Sequence, residues 1–409
     1  METKITRLDD FGRGVTRIND KVCFVKNALS EEIVDIDVIK EKKKYQIGKV
    51  NSYITKSDKR ITPKCKYYDV CGGCNLEHIS LEEENNFKKE KVEKILEKFA
   101  SKKVKVNKIA SEDEYGYRNK ITLRVDNGRI CLLEEESNNL VEIDECILAE
   151  NKINEIIKEL KEIVKDEKDI SKIMIRVSNN LERVMIKVDG KVNDVNLFKE
   201  ISDSLIINDK VIKEEYLLSN ILDKKFLVSS DSFFQVNRKI TEMMYRKIIE
   251  TVKENKPNKV LDLYCGVGTI GICVSSYTNN VLGVEVVEKA VESANKNKEL
   301  NKVGNIDFKC GKVENIIDNS YSTYDLIIVD PPRSGLDKKV VEVLNRSNSK
   351  TIVYVSCDPI TLARDIKLLD NYEIKEVELF NMFPRTYHVE TVSVLCRKKH
   401  WKIRKNYIF

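Results

Sequence analysis

The chain has 409 residues, too many for one hydrophobic core, so two or three domains are expected. No apolar run reaches membrane-spanning length and Met1–Arg17 is too charged for a secretory signal, which makes the cytoplasm the expected location. A net charge of +5 does not by itself mark a nucleic-acid binder, and eleven cysteines in an intracellular chain point to metal, cluster or catalytic thiols instead of disulfides.

Residues 4–54 alternate short β-rich runs (22–25, 33–39 and 45–50) with turns at Gly12, Gly14 and Gly48. Several short strands in so few residues predict a small barrel of the oligonucleotide-binding kind. A basic stretch follows, Lys56, Lys59, Arg60, Lys64 and Lys66 beside Tyr67 and Tyr68, which suits either a solvated face or a phosphate track. It runs into Cys65, Cys71 and Cys74 around a Gly-Gly turn. Three converging thiols select zinc or iron–sulfur, with Cys131 and Cys146 as candidates for a fourth ligand. The absence of a second Cys-x2-Cys knuckle favours an iron–sulfur cluster over a zinc ribbon. A helix over 85–99 carries an apolar stripe of Phe87, Val92, Ile95, Leu96 and Phe99. Strands at 121–125, 173–177 and 184–188 make the middle region α+β.

Residues 226–237 lead into a helix over 239–252, with Phe233 and Phe234 read as core and Gln235 as a candidate ligand. The stretch 260–272, Val-Leu-Asp-Leu-Tyr-Cys-Gly-Val-Gly-Thr-Ile-Gly-Ile, is strand, glycine turn and helix start. About twenty residues on, the run 281–285 ends in Glu285, where an open α/β sheet places an acid for ribose hydroxyls. A phosphate-cradling loop would need Gly-Lys-Ser/Thr, which is missing. The strand 325–329 ends in Asp330-Pro-Pro-Arg333, and Arg333 replaces the aromatic residue expected of an exocyclic-amine methyltransferase. The strand 351–356 delivers Cys357 to a helix begun by Pro359, where a macrodipole lowers a thiol pKa and Asp358 opposes it. A last strand is expected to carry His388 and Glu390 on one face, each a candidate general base or edge-strand surface. Cys23, Cys265, Cys273, Cys310 and Cys396 read as packed thiols.

Over nearly its whole length the chain resembles the RNA (uracil-5-)-methyltransferases, in the iron–sulfur branch that acts on 23S ribosomal RNA. The matching motifs are 232–237, 262–268, 330–333, 356–359 and 388–391. The resemblance implies an N-terminal TRAM barrel (1–55), a central α+β domain with a 4Fe-4S cluster (56–235) and a Rossmann-like S-adenosyl-L-methionine-dependent domain (236–409). It implies Cys65, Cys71, Cys74 and Cys146 as cluster ligands. It assigns Gln235, Tyr264, Glu285 and Asp330 to the methyl donor, Asp330 also to the uracil, Cys357 as nucleophile and Glu390 as general base. Thr269 departs from the Asn of several members, although its hydroxyl is expected to serve. A monomer with RNA as its partner is implied. The alternatives are a transfer-RNA uracil methyltransferase, whose branch generally lacks barrel and cluster, and a non-catalytic iron–sulfur RNA-binding factor.

Overall fold

The computed structural model describes residues 1–178, 183–317 and 323–398. Six short strands between Glu2 and Thr55 form the first sheet, and all three predicted runs lie within them. The sheet closes on itself. Thr3 hydrogen-bonds Thr16 at 2.6 Å while its backbone pairs with Val34, and the Thr6 N–H donates to the Val15 carbonyl at 2.9 Å. Ile5, Cys23, Val25, Val34 and Ile36 fill the interior.

A seven-stranded sheet from Lys120 to Lys213 follows, with the helix Asn151–Ile163 laid on it through Ile153, Ile156, Ile157 and Leu160. The period-two burial of Lys120–Asp126 gives that helix its apolar floor.

The third layer is an eight-stranded sheet. Its spatial order is Ile306–Cys310, Asn280–Glu285, Lys259–Leu263, Leu326–Val329, Thr351–Ser356, Glu390–Arg397, Tyr372–Phe380 and Ile109–Ala110. Chain order reverses between Lys259–Leu263 and Leu326–Val329, and the carboxyl ends flanking such a reversal form a ligand crevice. These central strands read as unbroken apolar runs because helices cover both faces, leaving one core on each side.

The expected division at 55 and 235 follows chain order, whereas the packing is interleaved. The helix Leu81–Ala100 buries Val92, Ile95 and Leu96 in a core of the third sheet, and Ile109–Ala110 joins that sheet's edge. The hairpin 217–228 also packs there through Ile221, Phe226 and Val228. No helix among the described residues is long and apolar enough to cross a membrane.

Candidate active site

Register brings the reactive groups together. Glu390–Arg397 runs antiparallel to Thr351–Ser356, with Thr391 opposite Ser356, so one further step places Glu390 beside Cys357. The Thr391 hydroxyl donates to the Ser356 carbonyl at 3.3 Å and pins the pair of strand ends. Asp330 arrives from the strand on the other side of Thr351–Ser356, where its N–H reaches the Leu263 carbonyl at 3.3 Å. The Pro-Pro-Arg turn after it is tied to the helix Pro359–Leu368, because the buried Asp365 accepts from the Leu336 N–H and the Tyr354 hydroxyl, both at 2.7 Å.

Electrostatics then separates the roles. Burial pushes the Glu390 carboxyl up to about 8, with Asp330 adding to the shift and Arg333 opposing it. Asp330 is itself pushed up to about 7 by burial. The Cys357 thiol rises to about 11 through burial first, then the charges of Glu390, Asp330 and Asp358, against Arg333. Asp358 is the cap, and its Oδ1 accepts from the Ile360 and Thr361 N–H groups at 2.8 and 2.9 Å. A carboxylate therefore occupies the place where a thiolate would gain from the dipole.

His388 lies before the strand, which begins at Glu390, so the two do not alternate along one strand. That strand is also interior, flanked by Thr351–Ser356 and Tyr372–Phe380. His388 packs between Tyr387 and Phe383, and burial together with nearby cations lowers it to about 4.

At the ligand crevice, Tyr264, Gly266 and Gly268 all have positive φ, of 64°, 55° and 81°. A side chain at Gly268 would meet Phe308 at 2.6 Å, whereas one at Gly266 would point into open space. Glycine at 268 thus serves packing, and at 266 it leaves room for a ligand. Glu285 spans the turn, its Oε2 accepting from the Gly266 N–H at 3.1 Å and its Oε1 from the Val287 N–H at 2.9 Å. Each oxygen keeps a second lone pair for a ribose hydroxyl. Tyr264 is half-buried with its phenol pushed up by burial. Gln235 lies in the segment between hairpin and helix, where its carbonyl accepts from the Asn119 amide at 3.2 Å. Its neighbour Phe234 is core as expected, but Phe233 is 73% exposed. The Thr269 hydroxyl is taken by the Tyr245 hydroxyl at 2.7 Å, so it faces a helix.

One crevice residue escaped the sequence reading as a site residue. Asp262 is fully buried, its Oδ2 accepting from the Gly271 N–H at 2.9 Å while its Oδ1 has no partner. Burial, the Asp330 charge and Glu285 push it up to about 8, with the Gly271 N–H opposing them. It braces the glycine turn. An acid ending the first strand of the glycine motif was the available signal.

The family model for tRNA (uracil-5-)-methyltransferase matches residues 176–316 and 309–399, and that for the TRAM domain matches 1–50. A relative from Clostridium tetani, an uncharacterized RNA methyltransferase by name, is 34% identical over 96% of this chain and 95% of its own. The chain belongs to the tRNA (uracil-5-)-methyltransferase family. A Staphylococcus aureus RNA methyltransferase is 31% identical over 94% of this chain and 95% of its own. The solved structure of Pyrococcus abyssi tRNA (uracil-54, C5)-methyltransferase with S-adenosyl-L-homocysteine covers 97% of this chain and 99% of that one. It is 29% identical, with a TM-score of 0.83. This family member is accordingly an S-adenosylmethionine-dependent RNA methyltransferase with an N-terminal TRAM domain.

In this uracil methyltransferase, Cys65, Cys71, Cys74 and Cys146 line one cavity of about 530 Å³, which Cys131 does not reach. Glu77 fixes its rim, accepting from the Lys64 and Cys65 N–H groups at 2.8 Å each. Burial and the neighbouring Glu77 and cysteines push Cys65 up to about 11 and Cys74 further, so the thiols hold their protons in the bare protein. Among the described residues no group of three or more His, Cys, Asp or Glu is arranged to hold a metal ion. The basic stretch beside the cavity is largely engaged within the protein. Arg60 forks onto Glu32 at 2.6 and 2.7 Å, Lys59 pairs with Glu83 and Lys66 with Asp144, each at 2.7 Å, and Tyr68 is buried. Of the cysteines read as packed, Cys310 is exposed.

Proposed function

We propose that this protein methylates C5 of a uridine in RNA, with Cys357 as nucleophile and Glu390 as general base. The observation that carries the reading is the meeting of Cys357, Glu390, Asp330 and Arg333 at adjacent strand ends beside the ligand crevice. C5 of uracil is a poor nucleophile. The Cys357 thiol gives its proton to solvent as its sulfur adds to C6, and the electron pair displaced from the C5–C6 double bond makes an enolate whose C5 is nucleophilic. Bound S-adenosyl-L-methionine supplies an electrophilic methyl group. Gln235, Tyr264, Glu285 and Asp330 are the residues assigned to hold it, Glu285 through the ribose hydroxyls. Arg333 offsets the negative charge of both thiolate and enolate. Glu390 then takes the C5 proton, the pair re-forms the double bond, and Cys357 leaves as thiolate.

Glu390 suits the task better than His388. A carboxylate whose conjugate acid sits near 8 is a far stronger base than an imidazole held near 4. The target base must leave its stack to reach these residues, and the barrel lies where it can grip the flanking strand.

For the substrate we favour 23S ribosomal RNA, on the motif resemblance. Transfer RNA is the second reading, favoured by the near full-length likeness to the Pyrococcus abyssi enzyme. That likeness covers the barrel and cysteine segments too, so their presence does not separate the two substrates. Incubating wild-type protein and labelled methyl donor with transcripts of each RNA tests the reading. Label recovered as 5-methyluridine supports it, the labelled transcript names the substrate, and label elsewhere or absent sinks it.

The four-cysteine cavity we assign to a 4Fe-4S cluster. An all-thiol donor set of four, in a cavity that Arg118 and Lys120 also line, suits a soft, negatively charged metal centre. Iron and acid-labile sulfide in anaerobically purified protein are expected, and zinc alone would contradict this. The cluster's role is structural, since the cavity lies outside the ligand crevice.

A further inference from the structure

A second cleft, of about 670 Å³, opens between the barrel turn 9–13, the cysteine loop and the catalytic loop 386–388. Three rings run through it toward the active site. Phe11 is 49% exposed and meets Tyr387 edge-on at 5.1 Å and 76°, and Tyr387 lies 4.2 Å from His388, two residues before Glu390. The rings are held firmly. Asp9 Oδ1 accepts from the Phe11 and Arg13 N–H groups at 2.9 and 2.8 Å, and Oδ2 from Arg13 Nε at 2.8 Å. Gly12 fits so closely that a Cβ there would lie 2.4 Å from Leu76 of the cysteine loop. Behind Tyr387, Lys91 donates to its carbonyl at 3.0 Å and stands 5.1 Å from its ring.

A barrel turn that only docked would bury its phenylalanine. Here the turn is clamped while Phe11 stays 49% exposed beside the cleft, and the Arg13 guanidinium 5.1 Å over its ring makes a cation–ring pair against which a flat group can lie. Charge orients that group. Lys49 lines the barrel side and Glu136 the other, and the ion pair of Lys26 with Glu135 at 2.7 Å bridges the two. A phosphate belongs on the first side. Carboxylates only accept, so the second side suits a base edge with an exocyclic amine.

We propose that this cleft is a nucleobase subsite, in which Phe11 stacks an unpaired purine flanking the target uridine and Tyr387 meets that purine edge-on. The inference rests on the uridine-methylation reading and deepens it. The barrel would then select RNA by an unpaired neighbour and not only by backbone charge.

A stem-loop RNA with uridine in its loop, carrying 2-aminopurine at each other loop position in turn, tests this. Stacking quenches 2-aminopurine. Wild-type protein should quench it strongly at one position beside the uridine. Phe11→Ala should relieve that quench and raise KM for methyl transfer about tenfold with kcat retained, the scale of one stacked base, and Phe11→Tyr should restore both. Absence of quenching at every position, or equal quenching by Phe11→Ala, overturns the subsite. Transfer to the same RNA reports separately on catalysis. Methylation without quenching removes the subsite alone, and quenching without methylation removes the catalytic reading alone.

Discussion

Cys357 and Glu390 meet because two adjacent strands end side by side, whereas Cys65, Cys71, Cys74 and Cys146 share a cavity because separate loops are pinned there. The first placement follows from sheet register and apolar runs that any reader of the chain can find. The second depends on side chains far away in sequence. Arg385 is the chief example, fully buried at φ 69°, with its carbonyl accepting from the Asn75 and Leu76 N–H groups at 2.9 and 3.0 Å. Its guanidinium donates to the Ile79 carbonyl at 2.7 Å and to Glu114, and Glu84 accepts from its N–H at 2.9 Å. Lys88, equally buried, donates to Glu84 and Asn381 at 2.7 Å each. Four residues separate Arg385 from Glu390, so one polar knot holds both the cysteine loop and the approach to the base. The lesson is that a strand end can be located by pattern, while a loop is located by whatever buries its polar groups.

Breaking that knot gives the largest expected effect. Arg385→Ala leaves the Ile79 carbonyl and Glu114 without their donor and takes a cation from buried Glu84, at a cost of about 3–5 kcal/mol. Urea denaturation should show it, and an unchanged midpoint would mean that the two regions are not joined here. Next comes the ligand crevice, which is built on the sheet alone. Glu285→Ala removes the proposed ribose acceptor, at an expected cost of about 1.5–3 kcal/mol. Calorimetry should show S-adenosylmethionine binding weakened by tenfold or more with iron content unchanged, and equal loss of both would erase the distinction between the regions.

A third effect, set by pH, concerns Asp262. Its carboxyl is held at about 8 in the folded chain, above the unfolded value of about 3.9, so the folded state binds the extra proton. The wild-type group contributes fully below that unfolded value and loses its contribution as pH rises through 8. Asp262→Asn cannot ionise. It should match wild type near pH 4 and exceed it in stability above pH 8, and a gap independent of pH would contradict the buried acid.

Much of the third sheet was legible, since 281–285, 325–329 and 351–356 are apolar runs bounded by turn residues, and the observed strands keep those bounds within a residue. The glycine turn and its acid were readable for the same reason. What pattern could not supply was the partner of each polar group. Asp358 was visible as a charge near Cys357, but only the cap geometry shows that it takes the helix N–H groups. Thr269 offered a hydroxyl, and Tyr245 claims it from a helix begun 31 residues earlier. Phe233 looked like core because a neighbouring pair of phenylalanines usually is, yet the turn shows one ring inward and one outward. His388 followed a period of two that begins only at Glu390.

The central claim is that Cys357 opens the reaction and Glu390 closes it, and intact-protein mass spectrometry of Glu390→Gln tests it most directly. Glutamine is nearly isosteric and cannot take a proton, so attack and methyl transfer should proceed and then stall. The expected species is protein joined to RNA and carrying one donor-derived methyl group, stable on a denaturing gel and absent from the double variant Cys357→Ala, Glu390→Gln. Normal turnover by Glu390→Gln with no trapped adduct would contradict the account and pass the role to His388 or water.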